Sequence, residues 1–258
     1  MEKSGFLKLL KKKVLFVLLA DFLFFSTLLW FLVYARNRIF SYLVVIQQFA
    51  PKITGISSAL AMEDASSVGQ LDALLKVVEP IVNEANFFIY FVVPVMIFLL
   101  WVLLQGFSWG LLKNDSVKKA LHFNFYPKFA LFSIPLFVVV FFLFRGFLNL
   151  AEQVNLTKSV ILFIVLFIVF YFTIISYLVI DRAKFLSSLV NLSIKRSKIF
   201  FPAFLLFLII FLLTLILFFN NYIYALSLIL PSALSIFLFL FFMLLFSCSK
   251  CLLAFLSQ

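Results

Sequence analysis

Charged residues make up only 12% of this 258-residue sequence, where a soluble domain carries about a quarter. With 66% of its residues apolar, the chain could not cover its own surface in water. The scarcity extends to particular residue types. Two cysteines, Cys248 and Cys251, exclude a disulfide framework, and with His122 as the sole histidine they supply too few ligands for a structural zinc site. Six glycines offer no glycine-rich phosphate loop, and the chain contains no HExxH, GxSxG or paired-carboxylate motif. His122 lies in a basic segment between apolar runs, so it cannot serve a serine inside one of them. The expectation is a protein that is not an enzyme and needs no cofactor. Acidic residues number 10 against 21 lysines and arginines, for a net charge of +11. Those cations sit in short clusters between apolar runs instead of interleaving with exposed aromatics, which argues against nucleic acid as a partner.

What the chain has is apolar length. Forty phenylalanines contribute to a mean hydropathy of +1.24. Six apolar stretches, at 14–34, 87–112, 129–148, 159–180, 199–219 and 222–246, are long enough to cross a hydrocarbon core of about 30 Å. Their Phe, Val and Ile content would suit strands in water. In lipid each backbone N–H and C=O must find a partner inside the protein, so continuous runs of this length fold as helices. The fold expected is all-α, a polytopic bundle of about six transmembrane helices whose first partner is the lipid bilayer.

The basic residues set an orientation. Lys3, Lys8, Lys11, Lys12 and Lys13 precede the first stretch, and Lys113, Lys118, Lys119 and Lys128 follow the second. Arg182, Lys184, Lys195, Arg196 and Lys198 follow the fourth, and Lys250 follows the sixth, which makes 15 on one side against 6 on the other. Cytoplasmic loops are the basic ones, so both termini are expected in the cytoplasm of a cell-membrane protein. Tyr34, Tyr90, Tyr222 and Tyr224 then fall at the outer interface, with Trp109, Tyr126 and Tyr177 as anchors at the inner one. Val33-Tyr34-Ala35 resembles a signal-peptide cleavage site, but the preceding run is long and contains Asp21, so an uncleaved anchor is expected. Three successive basic-segment and helix-pair units also follow one another. A shift of 68 residues sets Ser108-Trp109 on Ser176-Tyr177 and Lys128 on Arg196.

The sequence divides into 1–34, a basic segment and first span; 35–86, the long connection; and 87–258, the remaining spans. In the connection, Ile39, Leu43, Ile46 and Ala50 form one helical stripe. Leu71, Leu74, Leu75, Val78, Val82 and Ala85 form a second. Pro51 and Gly55 are expected to end the first helix, 53–67 to form a polar tip, and Pro80 to kink the return helix. The economical arrangement is a helical hairpin outside the membrane, with Leu43 and Ile46 against Leu74 and Val78. It is the candidate contact for a protein partner.

Few residues could carry chemistry. Asp21 is the acidic residue well inside a span, and Gln105, Thr173 and Ser133 fall at similar depths on other spans, a candidate polar layer. Such a layer could bind a proton or cation, or join helices by hydrogen bonds worth about 0.6 kcal/mol each. No charged partner for Asp21 is evident at this level. Gly106 and Gly110 form a GxxxG motif that permits close helix packing. Pro94, Pro135, Pro202 and Pro231 mark kinks or helix starts, and Cys248-Ser249-Lys250-Cys251 reads as ordinary helix-tail residues. Asn155-Leu156-Thr157 has the glycosylation pattern. The function expected is a non-enzymatic membrane scaffold or assembly partner. The alternative is a small permease or ion-coupled transporter using Asp21 and the polar layer.

Overall fold

The computed structural model describes residues 3–61, 66–113, 125–149, 156–180, 184–226 and 233–257. Nearly all of them are helical, with no strand among the described residues. The helices are α1 (Lys3–Ala61), α2 (Ser66–Phe87), α3 (Val93–Leu100), α4 (Gly106–Lys113), α5 (Phe125–Asn149), α6 (Leu156–Val179), α7 (Phe185–Val190), α8 (Ser197–Leu226) and α9 (Ala233–Leu256). Wider π turns at Phe88–Val92 and Trp101–Gln105 join α2, α3 and α4 without a break, and a third at Asn191–Lys195 follows α7. Among the described residues, five stretches are long and apolar enough to cross a membrane: Val14–Ile56, Val68–Lys113, Phe125–Phe142, Ser197–Ile223 and Ser235–Leu256. The remaining expected span appears as the shorter apolar stretch Ile164–Val179 within α6. The chain is an all-α polytopic membrane bundle.

Several boundaries differ from those expected. α1 runs for 59 residues straight through Pro51 and Gly55. Gln47, whose carbonyl loses its donor to the proline ring, is exposed, so water can replace the missing bond. α2 likewise contains Gly69 and Pro80 in its interior, so 53–61 and 66–67 of the expected polar tip are helical, and 62–65 lie outside the described residues. Pro94 acts one turn upstream. It cannot donate to the carbonyl four residues back, and just before it the Val93 N–H reaches the Phe88 carbonyl across a π turn. α8 continues past Asn220-Asn221 to Leu226, and α9 begins at Ala233, so the last helix lies about ten residues further along than the apolar run suggested. That shift carries Ser247 and Lys250 inside a helix. His122, Glu152, Asn155 and Pro231 lie outside the described residues.

The chain separates into two compact units, Leu28–Ile97 and Met1–Thr27 together with Phe98–Gln258. The unit of 28–97 is a helical hairpin. Its seam combines the buried Tyr42, Val78, Ala85 and Phe88 with the half-buried Ile39, Ile46, Leu71, Leu74 and Val82. Leu43 and Ala50, expected in this seam, are exposed; Tyr42 and Phe49 take their place at the three-four spacing. Glu84 holds the register. It accepts from the Tyr42 hydroxyl at 2.7 Å and from Arg38 at 3.1 Å, while Arg38 also donates to Tyr42 at 3.0 Å.

The other unit is built on phenylalanine. α8 and α9 pack antiparallel, with Phe207 and Phe211 stacked on Phe246, Phe218 against Phe239, and Ser235 bonded to Asn220 and Asn221. Phe25 of α1 meets Phe218, Phe239 and Phe246. Phe170 and Tyr171 of α6 pack on Phe204. Between helices in lipid, association depends on close packing and hydrogen bonds, since lipid tails are as apolar as the side chains. Interlocking ring edges and faces provide that contact. Gly106 serves the same end: a Cβ there would come within 3.3 Å of Tyr126 and Phe129, so α4 and α5 approach closely because it is glycine.

Candidate functional site

Asp21 sits on α1 with no exposed surface, and its carboxylate is fully engaged. Oδ1 forms an ion pair with Lys250 Nζ at 2.5 Å and accepts from Gln105 Nε2 at 3.1 Å and Ser108 Oγ at 3.0 Å. Oδ2 accepts from Ser247 Oγ at 2.8 Å. Lys250 is 1% exposed and has three protons to donate. It places them on Asp21, on Gln105 Oε1 at 2.5 Å and on Ser108 Oγ at 3.1 Å. The Gln105 amide therefore bridges the pair with both of its ends, and the Ser108 hydroxyl donates to one ion while accepting from the other.

Local structure accounts for the convergence. Gln105 closes the π turn Trp101–Gln105, where the Gly106 N–H reaches back to the Trp101 carbonyl. Gln105 and Ser108 are three apart on one side of that helical run, and Ser247 and Lys250 are three apart on α9. The walls are aromatic. Lys250 Nζ lies 4.4 Å from the Phe246 ring centre and 5.6 Å from that of Trp109, so the cation also faces two π surfaces. Among the described residues no buried side-chain nitrogen or oxygen lacks a partner.

A second, smaller network lies behind Trp109, whose ring centre is 5.7 Å from that of Tyr177. The Tyr177 hydroxyl accepts from Trp101 Nε1 at 3.1 Å and shares a 2.6 Å bond with Ser133. Trp109 and Tyr177, expected as interfacial anchors, are buried in this core. The expected polar layer thus divides. Asp21 and Gln105 meet; Ser133 belongs to the Tyr177 network; Thr173 bonds the Val169 carbonyl of its own helix. Gly110 is buried beside Trp109 in α4, and Cys248 and Cys251 lie on exposed and buried sides of α9.

Sequence reasoning missed Ser108, Ser247 and Lys250. Ending the last span at Phe246 puts Lys250 with the solvated cations. The available signal was the polar pairing at three-residue spacing, Gln105/Ser108 and Ser247/Lys250, beside the one acidic residue of a span. Chemically the site is closed: every proton of the ammonium and both carboxylate oxygens are committed to neighbours. Its effect is to join α1, the Trp101–Lys113 run and α9 by charge and hydrogen bonds in a medium that provides neither.

Apolar helices of membrane-crossing length around a buried ion pair define a multi-pass membrane protein. No protein family, curated protein or solved structure matches the chain.

Proposed function

We propose that this protein is a non-enzymatic, multi-pass scaffold or assembly partner of the cell membrane that binds another protein through the 35–86 part of the hairpin. The observation that carries this is the hairpin's mixed surface. Phe40, Leu43, Leu75 and Val77 are exposed beside the equally exposed Arg38, Asp72, Lys76 and Glu79. Lipid rejects the charges and water disfavours the apolar side chains, whereas a protein surface suits both. The length of α1 agrees: its 59 residues measure about 88 Å, nearly three times a hydrocarbon core, so much of it belongs outside the lipid. The distribution of cations supports cytoplasmic termini, with the hairpin on the opposite side. Moving Lys250 into the bundle leaves that asymmetry in the same direction.

The competing reading, a small permease or ion-coupled transporter, needs Asp21 free to take up a proton or cation. Its engagement with Lys250, Gln105, Ser108 and Ser247 weighs against that role. Purification from native membranes in mild detergent tests the choice. Wild type is expected to bring down a partner in stoichiometric amount, and Leu43→Ser/Leu75→Ser to retain roughly ten-fold less, as two apolar contacts are lost. A wild-type preparation without a partner, or one whose partner ignores the double variant, overturns the proposal; proton-coupled uptake into vesicles would favour transport.

A further inference from the structure

The segment 184–198 between α6 and α8 has two apolar sides. One holds it to the bundle: Phe185 stacks on Phe132 with ring centres 4.9 Å apart, Leu192 is buried, and the Ser193 carbonyl accepts from the Tyr171 hydroxyl at 3.4 Å. The other faces outward. Leu186, Val190 and Ile194, each four residues from the next, are 74%, 45% and 67% exposed. Around this outer stripe stand the exposed cations Lys184, Lys195, Arg196 and Lys198, with no acidic residue between Lys184 and Phe200.

A concavity of about 510 Å³ opens on this segment, where Leu186 and Val190 adjoin Ser187, Ser188, Asn191 and Lys195. Among the described residues those four polar side chains make no hydrogen bond within the protein. Two hydroxyls, an amide and an ammonium therefore offer donors with no internal acceptor, beside apolar residues that need cover. The π turn Asn191–Lys195 ends the segment at this concavity, with the Arg196 N–H on the Asn191 carbonyl at 2.9 Å.

We infer that 184–198 is an interfacial amphipathic segment that binds an anionic phospholipid, its phosphate against Ser187, Ser188, Asn191 and Lys195 and its acyl chains along Leu186, Val190 and Ile194. Charge complementarity selects this occupant. A zwitterionic lipid would satisfy the apolar stripe but not four cations that have no ion pair among the described residues, and a water-soluble anion would satisfy the cations but leave the stripe bare.

The test uses full-length protein with Cys248 and Cys251 replaced by alanine, an environment-sensitive fluorophore on Ile194→Cys, and vesicles mixing phosphatidylglycerol with phosphatidylcholine. Either lipid carries bromine high on its acyl chains in turn, so quenching reports which one lies at the probe. Brominated phosphatidylglycerol is expected to quench more than its mole fraction predicts. Lys195→Gln is expected to reduce that preference by up to about five-fold. A control probe on Phe241→Cys, on the exposed side of α9, is expected to show no preference. Equal quenching by both lipids, a preference unchanged in Lys195→Gln, or an unquenched probe would each overturn the inference. Displacement by millimolar inorganic phosphate would also overturn it, by assigning the site to a soluble anion.

Discussion

Asp21 and Lys250 each bring a full charge into a medium that tolerates neither alone. A charge near the centre of a spanning helix costs about 2.5–3.5 kcal/mol on the insertion scale, and the pair offsets that cost by mutual attraction and by hydrogen bonds to Gln105, Ser108 and Ser247. If Asp21 only joined helices through weak membrane hydrogen bonds, Asp21→Asn would be nearly silent, a carboxylate traded for an amide. With Lys250 in contact the expectation reverses, because the amide leaves a buried ammonium without its counter-charge. Asp21→Asn and Lys250→Met are each expected to destabilise the bundle by about 3–5 kcal/mol. Asp21→Leu/Lys250→Met, apolar at both positions, should recover most of the loss. Denaturant titration of the protein in mixed micelles reads all three. A double variant no more stable than either single one would show that the two residues act apart.

At the scale of the helix, the glycines separate positions where backbone freedom is used from positions where it is spare. A Cβ at Gly55 or Gly69 meets nothing within 4 Å, while one at Gly106 meets Tyr126 and Phe129. Gly55→Ala and Gly69→Ala should therefore each stabilise the hairpin by about 0.5–1 kcal/mol, by restricting the unfolded chain. Gly106→Ala should lower the bundle's melting temperature by forcing two aromatic rings apart. Thermal melts followed by circular dichroism check the opposite signs. Helix type and approximate position were legible because a long apolar run in lipid leaves the backbone one way to satisfy itself. Helix ends were not. Pro51 looks like a stop, yet an exposed helix can pass through a proline, and Asn220-Asn221 does not end α8. The hairpin stripe was legible by period but turned in phase, since the more apolar Leu43 adjoins the Tyr42 that the seam buries. The ion pair was hidden by both limits at once: a misplaced final helix and a contact spanning 229 residues.

For the whole molecule, the asymmetry of charge along the sequence gives a direct test of topology. In a background lacking Cys248 and Cys251, Gln70→Cys on the hairpin should react with an impermeant maleimide in intact cells. Lys128→Cys, at the start of α5, should react only after lysis; labelling of both from outside would invert or break the proposed orientation. The ion pair also has a consequence in time. Asp21 enters the membrane with α1, and Lys250 arrives with α9. Synthesis at about 5–20 residues per second puts roughly ten to fifty seconds between them. Throughout that interval the carboxylate waits for Lys250, and a polypeptide interrupted before α9 never receives it. A copy interrupted there keeps, inside α1, a carboxylate without the ammonium that closes it in the folded bundle.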